Sequence, residues 1–164
     1  MYIQASTFGK EKDQQYMKSA LLQAKKAFQA NEVPIGALVV DSQGVIISRG
    51  YNRVEALCTQ AAHAEIIAIS KAGKKKEDWR LEGCWLYVTL EPCALCINLI
   101  ILSRLAGIVF GPRSPLFGFQ SVDNKDELSL YKKHTLQIVA GVGERESCDL
   151  LKKFFQSKRK NHCE

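Results

Sequence analysis

Apolar residues recur every three or four positions along the first polar stretch of the chain. This spacing over residues 12–30 is typical of one face of an amphipathic helix. The apolar positions are Tyr16, Ala20, Leu21, Ala24, Ala27 and Phe28. The pattern therefore predicts a helix over residues 12–30.

The hydrophobic period changes at Pro34, because proline cannot continue a helix. The run IGALVV predicts a strand over residues 35–40, and VIISRG predicts its hairpin partner over residues 45–50. Turn-forming residues between the two runs support a hairpin. Residues 51–62 fit neither period, so we expect a loop that leads to His63.

The second half of the chain alternates between compact apolar runs and helix formers. HAEIIAISKAG predicts a helix over residues 63–73 that ends at Gly73. CWLYVTL and RLAGIVFG predict two strands, and EPCALCINLIILS predicts a mostly apolar helix between them. The short crossover implies that these strands are adjacent and parallel. A turn-rich segment, a fifth strand and a basic closing helix follow, and they cover residues 112–124, 135–141 and about 145–160.

These elements predict an α/β fold with five strands in one sheet and helices on both faces. We find no internal repeat and no linker, so residues 1–164 are expected to form a single domain. A chain of 164 residues buries roughly two thirds of its unfolded surface without help from disulfides.

Composition narrows the class of protein. The chain is 46% hydrophobic and 24% charged, as in ordinary globular proteins, and it lacks both a membrane-length apolar run and the apolar core of a signal peptide. We therefore expect a cytoplasmic protein with no membrane association. In a reducing compartment its six cysteines are expected to be thiols or metal ligands.

The net charge of +6 is concentrated in KKK at residues 74–76 and in KKFFQSKRK at residues 152–160. Such clusters suggest a polyanionic partner, although a lone charge run also occurs on a solvated helix end. The second cluster mixes Phe154 and Phe155 with cations that include Arg159. Since aromatic rings stack on unpaired bases and cations hold phosphates, this cluster favours a nucleic acid as the partner.

Three residues are candidate metal ligands. Cys93 and Cys96 are three apart at a predicted helix start, where the helix dipole stabilises thiolates, the form that binds zinc. His63, at the start of another helix, is the third candidate. Three protein ligands leave a position open for catalysis. Two alternatives remain at this point: Cys58 or Cys84 completes a structural site, or the Cys-x-x-Cys pair is a redox pair.

The string His-Ala-Glu at residues 63–65, followed by Pro-Cys-x-x-Cys at residues 92–96, resembles the signature of zinc-dependent nucleobase deaminases. Further stretches occur in the order and spacing of the bacterial tRNA adenosine deaminases, which convert the wobble adenosine of an anticodon to inosine. The stretches are NEVPIGALVV, YNR, AAHAEIIAI, LYVTLEPCALC, SRLAGIVFG and FFQSKRK. The resemblance extends from about Tyr16 to Lys160.

This resemblance implies a three-layer α-β-α sandwich of the cytidine-deaminase type, with a central five-stranded mixed sheet. It also implies a homodimer whose active site includes residues of the neighbouring subunit. One zinc ion per subunit is expected at His63, Cys93 and Cys96, with Glu65 as a proton shuttle outside the ligand set. Glu91 is expected at most to support the ligands from behind.

Contacts to an anticodon stem-loop are also implied by the resemblance. Asn52 is expected to hold the base, Gly36 is expected to permit a close approach, and the basic closing helix is expected to grip the RNA backbone. The remaining positions expected to bind substrate are Ile35, Ala37, Ala64, Phe154, Phe155 and Arg159.

The chain departs from the family after Gly111. Where the tRNA-editing family usually has an aspartate and a lysine, this chain has Ser114 and Leu116. Ser114 can still hydrogen-bond a hydroxyl group, and we retain it as a substrate-binding candidate, but it carries no charge. Recognition at this rim is therefore expected to differ.

Three functions remain in competition. The favoured one is deamination of a tRNA wobble adenosine; a second is deamination of free guanine, cytosine or a nucleoside by the same zinc core. The third is a non-catalytic, zinc-stabilised RNA-binding subunit. The basic closing helix argues against the second, and the presence of Glu65 argues against the third.

Overall fold

The structure is a computed structural model that describes residues 1–119 and 136–161. Predictions for residues 120–135, for Cys163 and for the side chain of Lys160 lie outside the described part. The helices are α1 (Lys10–Gln29), α2 (Val54–Leu57), α3 (Ala64–Lys76), α4 (Ala94–Leu102) and α5 (Glu144–Asn161). The strands are β1 (Gly36–Val40), β2 (Ile46–Tyr51), β3 (Trp85–Val88), β4 (Gly107–Phe110) and β5 (Gln137–Val139).

The five strands form one mixed sheet in the order β2-β1-β3-β4-β5. Strand β1 is antiparallel to both β2 and β3, whereas β3, β4 and β5 run parallel. The predicted hairpin and the predicted parallel strand-helix-strand unit are both confirmed. The sheet therefore has the predicted mixed topology.

Helices cover both faces of the sheet, as predicted. On one face, Tyr16 and Met17 of α1 pack with Tyr87 and Val109 of the sheet. On the other face, residues of α3 and α4 pack with the alternate strand positions, including Ile108. Successive side chains along a strand point to opposite faces of the sheet, and every described residue of β1, β3 and β4 is buried. Both faces of the sheet are therefore covered by helices, which gives three layers. Within the described ranges, no helix has the length and apolar character needed to cross a bilayer.

The predicted loop over residues 51–62 is wrong in part. It contains the short helix α2 and a 3₁₀ turn at Gln60–Ala62. The carboxylate of Glu32 accepts the free N–H groups of Glu55 and Ala56 at 3.1 and 2.7 Å. This stabilisation comes from more than twenty residues away in the chain, so hydrophobic periodicity gives no sign of it.

The predicted end of α3 at Gly73 is also wrong, because the helix continues to Lys76. Glu77 ends it in the left-handed conformation with φ 54°, and the N–H of Asp78 donates to the carbonyl of Gly73 at 3.1 Å. The three lysines of the last turn favour the extension, since cations are stabilised at a helix C-terminus.

Two glycines allow helices to approach the sheet closely. A Cβ atom at Gly36 would collide with the backbone of Ala20 in α1, and one at Gly50 would collide with the backbone of Ala64 in α3. The lack of a side chain at Gly36 is therefore needed for the approach of α1, and a close approach of substrate to its backbone stays a prediction. Gly50 in turn sets the distance of α3, and with it His63, from the sheet.

A buried polar group ties α1 to the sheet. Asp13 is 1% exposed and accepts the Tyr87 hydroxyl at 2.6 Å and the Ser6 N–H at 2.9 Å. We expect Asp13→Ala to lower the free energy of unfolding by about 3 kcal/mol, because three buried donor groups, the Tyr87 hydroxyl and the N–H and hydroxyl of Ser6, lose their acceptor. Urea denaturation followed by circular dichroism measures the change. Glu11→Ala, at an exposed position of the same helix turn, is the control; equal losses in the two variants would contradict the prediction.

Candidate active site

Two helix starts and one strand end bring three metal-binding side chains together. His63 is the N-cap residue of α3, Cys93 is the N-cap residue of α4, and Cys96 lies in the first turn of α4. Nδ1 of His63 lies 3.4 Å from Sγ of Cys96 and 3.6 Å from Sγ of Cys93. The three donor atoms all lie within 4.8 Å of one another. His63 and Cys93, which are 30 positions apart in the chain, thus lie side by side at the edge of the sheet where β3 ends.

These distances fit a zinc ion. Zinc bonds of about 2.3 Å to sulfur and about 2.05 Å to nitrogen, at a tetrahedral angle, separate the two donors by about 3.6 Å. In the described part of the chain, this is the one group of three or more histidine, cysteine or acidic side chains with metal-binding geometry. Neither Cys58 nor Cys84 belongs to it, so a four-ligand structural site that includes either is not supported.

The two thiols share a hydrogen bond that sets their protonation. The pKa of Cys93 is lowered to about 4, mainly because its sulfur accepts a hydrogen bond from the Cys96 thiol and also because it contacts His63. The same hydrogen bond and burial raise the pKa of Cys96. Zinc binding, which needs both thiolates, must therefore release a proton from Cys96.

Gln60 was not found by the sequence analysis. Its Oε1 atom lies 3.1 Å from Nε2 of His63. When Nδ1 of His63 faces a metal, Nε2 carries the hydrogen and donates it to Gln60, which fixes the tautomer and the ring orientation. The sequence signal is only a glutamine three residues before a histidine, which is too common a spacing to indicate this contact.

Glu65 is a buried carboxyl group beside the three ligands. It is the second residue of α3 and is 5% exposed. Burial raises the pKa of Glu65, while the charge of His63 and a hydrogen bond with Cys96 oppose the shift. It does not belong to the group of donor atoms, which agrees with a role outside the ligand set.

Asn52 is held next to the candidate metal ligands by backbone contacts. Its N–H donates to the carbonyl of Ile35 at 3.0 Å, and the N–H of Arg53 donates to the carbonyl of Ala62 at 3.0 Å. Ala62 directly precedes His63. The structure thus places Asn52 and Ile35 at the same edge of the sheet as the donor atoms. Ala37 and Ala64 lie close by in sequence and have no exposed surface.

The loop at residues 112–119 folds against the start of α4. Ser114 is 9% exposed, and its N–H donates to the Glu91 carboxylate at 2.9 Å. Residue 118 pairs with Cys93 in an isolated bridge. Leu116 and Phe117, in contrast, are 82% and 73% exposed. The rim next to Cys93 therefore presents apolar side chains, and a substrate contact by Ser114 stays a prediction.

One of the two phenylalanines expected to bind substrate is buried. Phe154 is 5% exposed, and its ring packs on Phe28 with 5.8 Å between centroids, so the predicted stacking of Phe154 on a base is wrong. Phe155 is 46% exposed, and Arg159 is exposed. Phe28 lies in the last turn of α1, just before β1 begins at the edge of the sheet where His63, Cys93 and Cys96 meet. Since Phe154 packs on Phe28, the C-terminal half of α5 reaches the same edge.

Known proteins match this arrangement in sequence and in fold. The cytidine and deoxycytidylate deaminase zinc-binding region matches residues 10–112. A tRNA-specific adenosine deaminase of Bacillus subtilis is 42% identical, over 90% of this chain and 91% of its own length.

Solved structures agree with these sequence matches. One from a study of A-to-I editing by tRNA:A34 deaminases at the wobble position aligns with a TM-score of 0.77 at 35% identity, over 84% of this chain and 99% of that one. A guanine deaminase of Bacillus subtilis aligns with a TM-score of 0.58 at 30% identity, over 72% of this chain and 73% of that one.

Proposed function

We propose, from the premise that this chain belongs to the family of the cytidine and deoxycytidylate deaminase zinc-binding region, that it hydrolyses the wobble adenosine of a tRNA anticodon to inosine. It is a zinc-dependent hydrolase. The observation that carries the reaction class is the three-ligand cluster with the buried Glu65 beside it.

The chain's own residues supply binding, orientation and proton transfer. His63, Cys93 and Cys96 hold the zinc ion, which when bound activates water as a nucleophile near neutral pH. Glu65 would accept one proton from the water as its oxygen bonds to C6 of the adenine, and would deliver that proton to the ring nitrogen. It would then take the second proton from the newly added hydroxyl group and pass it to the amino group, which leaves as ammonia when the C–N bond breaks. Adenosine and water thereby become inosine and ammonia. Asn52 holds the base, and Gln60 keeps His63 in the tautomer that binds metal.

The substrate is assigned from the relatives and from the charge of α5. Relatives that match about nine tenths of this chain are tRNA-specific adenosine deaminases. An anticodon loop presents unpaired bases, so extruding one costs little. The exposed cations of α5 extend toward the edge of the sheet that carries the site, where they would meet the phosphates that flank an inserted base.

We further propose that the protein is a cytoplasmic homodimer. Helix α4, which carries two zinc ligands, exposes Leu95 and Leu102 at 52% and 48%. A second copy packed on this face would remove apolar surface from water and lie next to the site. Sedimentation equilibrium at micromolar concentration tests this assembly, and a monomer there would contradict it.

Deamination of free guanine is a second candidate function. The observations that favour it are the likeness to the guanine deaminase fold and the apolar rim formed by Leu116 and Phe117. Exposed apolar side chains at the rim suit a free base as well as they suit RNA. The two candidates share the zinc chemistry and differ only in substrate.

One experiment separates the two candidates. Zinc-loaded protein is incubated with an arginine tRNA that carries adenosine at the wobble position, and inosine is detected by reverse transcription. Ammonia release is measured in parallel with free adenosine, guanine and cytidine. Inosine in the tRNA without ammonia from the free compounds supports the proposal. Ammonia from guanine with an unchanged tRNA would replace it with the second candidate.

The role of α5 gives a further prediction. We expect the double variant Lys153→Glu/Arg159→Glu to raise KM for tRNA about tenfold and to leave kcat and zinc content unchanged. Each lost phosphate contact removes one site of counterion release from the complex, so the affinity for tRNA falls. The slope of log affinity against log salt also becomes less steep, by about 0.7 to 0.9 for each lost contact. Steady-state kinetics at several salt concentrations measure both effects.

The matched control is Lys74→Glu/Lys75→Glu, which makes the same change in charge at exposed positions near the C-terminus of α3. This variant is expected to change KM by less than about twofold. Equal effects of the two double variants would show that only the net charge matters, and would contradict a specific contact by α5.

A further inference from the structure

Glu32 is a fully buried carboxylate that the proposed reaction does not use. It lies between α1 and β1 and is 1% exposed. Oε1 accepts the N–H of Ala56 at 2.7 Å, and Oε2 accepts the N–H of Glu55 at 3.1 Å. Oε2 also accepts Nδ2 of Asn52 at 3.4 Å. Glu32 thus joins the start of α2 to the side chain expected to hold the base.

The chemistry of these groups determines how the Asn52 amide is oriented. Both oxygens of Glu32 accept hydrogens from backbone N–H groups, which can only donate, so both oxygens act as acceptors. The NH₂ end of Asn52 therefore faces Glu32, because a reversed amide would place its carbonyl oxygen against an oxygen that already acts as an acceptor. The carbonyl oxygen of Asn52 is therefore turned away from Glu32.

The backbone on either side of Asn52 is equally constrained. Its own N–H is bonded to Ile35, and Arg53 is bonded to Ala62, the residue before His63. Asn52 is 4% exposed, so its side chain has little freedom once Glu32 holds one end of it. The backbone that carries the Asn52 amide is thus joined to the backbone that carries His63 through the hydrogen bond between Arg53 and Ala62.

We propose that Glu32 is a positioning residue that orients the Asn52 amide, and so determines which hydrogen-bonding atoms Asn52 offers to the substrate base. This inference rests on the proposed function, since it takes Asn52 as the base contact. Glu32 itself does not touch the substrate. A purely structural alternative is that Glu32 only stabilises α2 through Glu55 and Ala56.

A double-mutant cycle separates the two roles. Glu32→Gln and Asn52→Ala are each expected to raise KM for an anticodon stem-loop about tenfold, with zinc content unchanged. If Glu32 acts through Asn52, adding Glu32→Gln to the Asn52→Ala variant raises KM no further. If the two increases multiply instead, Glu32 acts only through α2, and the proposal is overturned.

A second measurement tests the contact without activity, and it serves if Glu32→Gln alone does not fold. Asn52→Asp places two carboxylates together and is expected to lower Tm, whereas the double variant Glu32→Gln/Asn52→Asp restores an amide–carboxylate pair in the opposite sense. We expect the double variant to have a higher Tm than Asn52→Asp alone. A double variant no more stable than Asn52→Asp would overturn the proposed contact.

The two tests also separate this inference from the proposed function. A wild-type protein that leaves the stem-loop unchanged would contradict the proposed substrate, while the Tm comparison would still report on the Glu32–Asn52 pair. A wild-type protein that forms inosine while Glu32→Gln leaves KM unchanged would retain the function and remove Glu32 from it.

Discussion

Replacement of Glu65 with glutamine is expected to lower kcat about a thousandfold while the zinc ion stays bound. Glutamine has nearly the same shape as glutamate, but it cannot accept a proton from water and pass it to the ring nitrogen. A positioned general acid–base group contributes roughly 10² to 10⁴ in rate. Because Glu65 lies outside the group of metal donor atoms, its replacement should leave the zinc ion bound. The loss should therefore appear in kcat, as a loss of proton transfer.

The measurement pairs inosine formation under single-turnover conditions with zinc content by atomic emission. Retained zinc with lost turnover supports the role of Glu65 as proton shuttle, and it also excludes the non-catalytic RNA-binding subunit once wild-type activity is established. Loss of zinc together with activity would show instead that Glu65 is a ligand.

Replacement of Cys96 with alanine is expected to remove both zinc and activity. The side chain is fully buried, and its sulfur lies 3.4 Å from Nδ1 of His63. With one of three ligands gone, the remaining two cannot retain the ion against solvent competition, so zinc should fall from about one per chain to near zero. Inosine formation should fall below detection.

Cys84→Ala is the matched control, because Cys84 is also a fully buried free cysteine and lies directly before β3, outside the donor group. Both variants delete one buried sulfur and so carry a similar cavity cost of packing. Only Cys96→Ala should lose zinc. Zinc loss in the Cys84 variant would mean that the site has a fourth cysteine ligand.

The pair of predictions distinguishes holding the metal from moving the proton. Glu65→Gln should give a zinc-loaded, inactive protein, whereas Cys96→Ala should give a zinc-free, inactive protein. No arrangement in which the cluster is only a redox pair produces this contrast, because a redox pair needs neither zinc nor Glu65.

Much of the fold could be predicted from the sequence because its signals are local. Apolar residues at helical spacing located α1, and compact apolar runs located all five strands. A crossover that is too short to pass over another strand implied that β3 and β4 are neighbours. Local chemistry made the two cysteines and the histidine candidate ligands, and the resemblance of residues 63–65 and 92–96 to the deaminase signature implied that they form one site.

The misses share a different cause. The sequence shows that residues 154 and 155 are aromatic, but packing on Phe28 decided that Phe154 is buried while Phe155 remains partly exposed. The sequence also contains no sign that α1 packs against Gly36 closely enough to exclude a side chain there. In each case the sequence states the residue type but not which other elements pack against it.

By itself, the sequence determined the order of elements, the mixed sheet and the candidate metal ligands. Only the three-dimensional structure decided which polar groups support them: Glu32 on Asn52 across twenty residues of chain, and Gln60 on the ring of His63, a local contact whose three-residue spacing is too common to indicate it. The physical reason is that periodicity states which face of an element is apolar, whereas the partner of a buried polar group depends on how separate elements pack. Long-range hydrogen bonds leave no period in the chain.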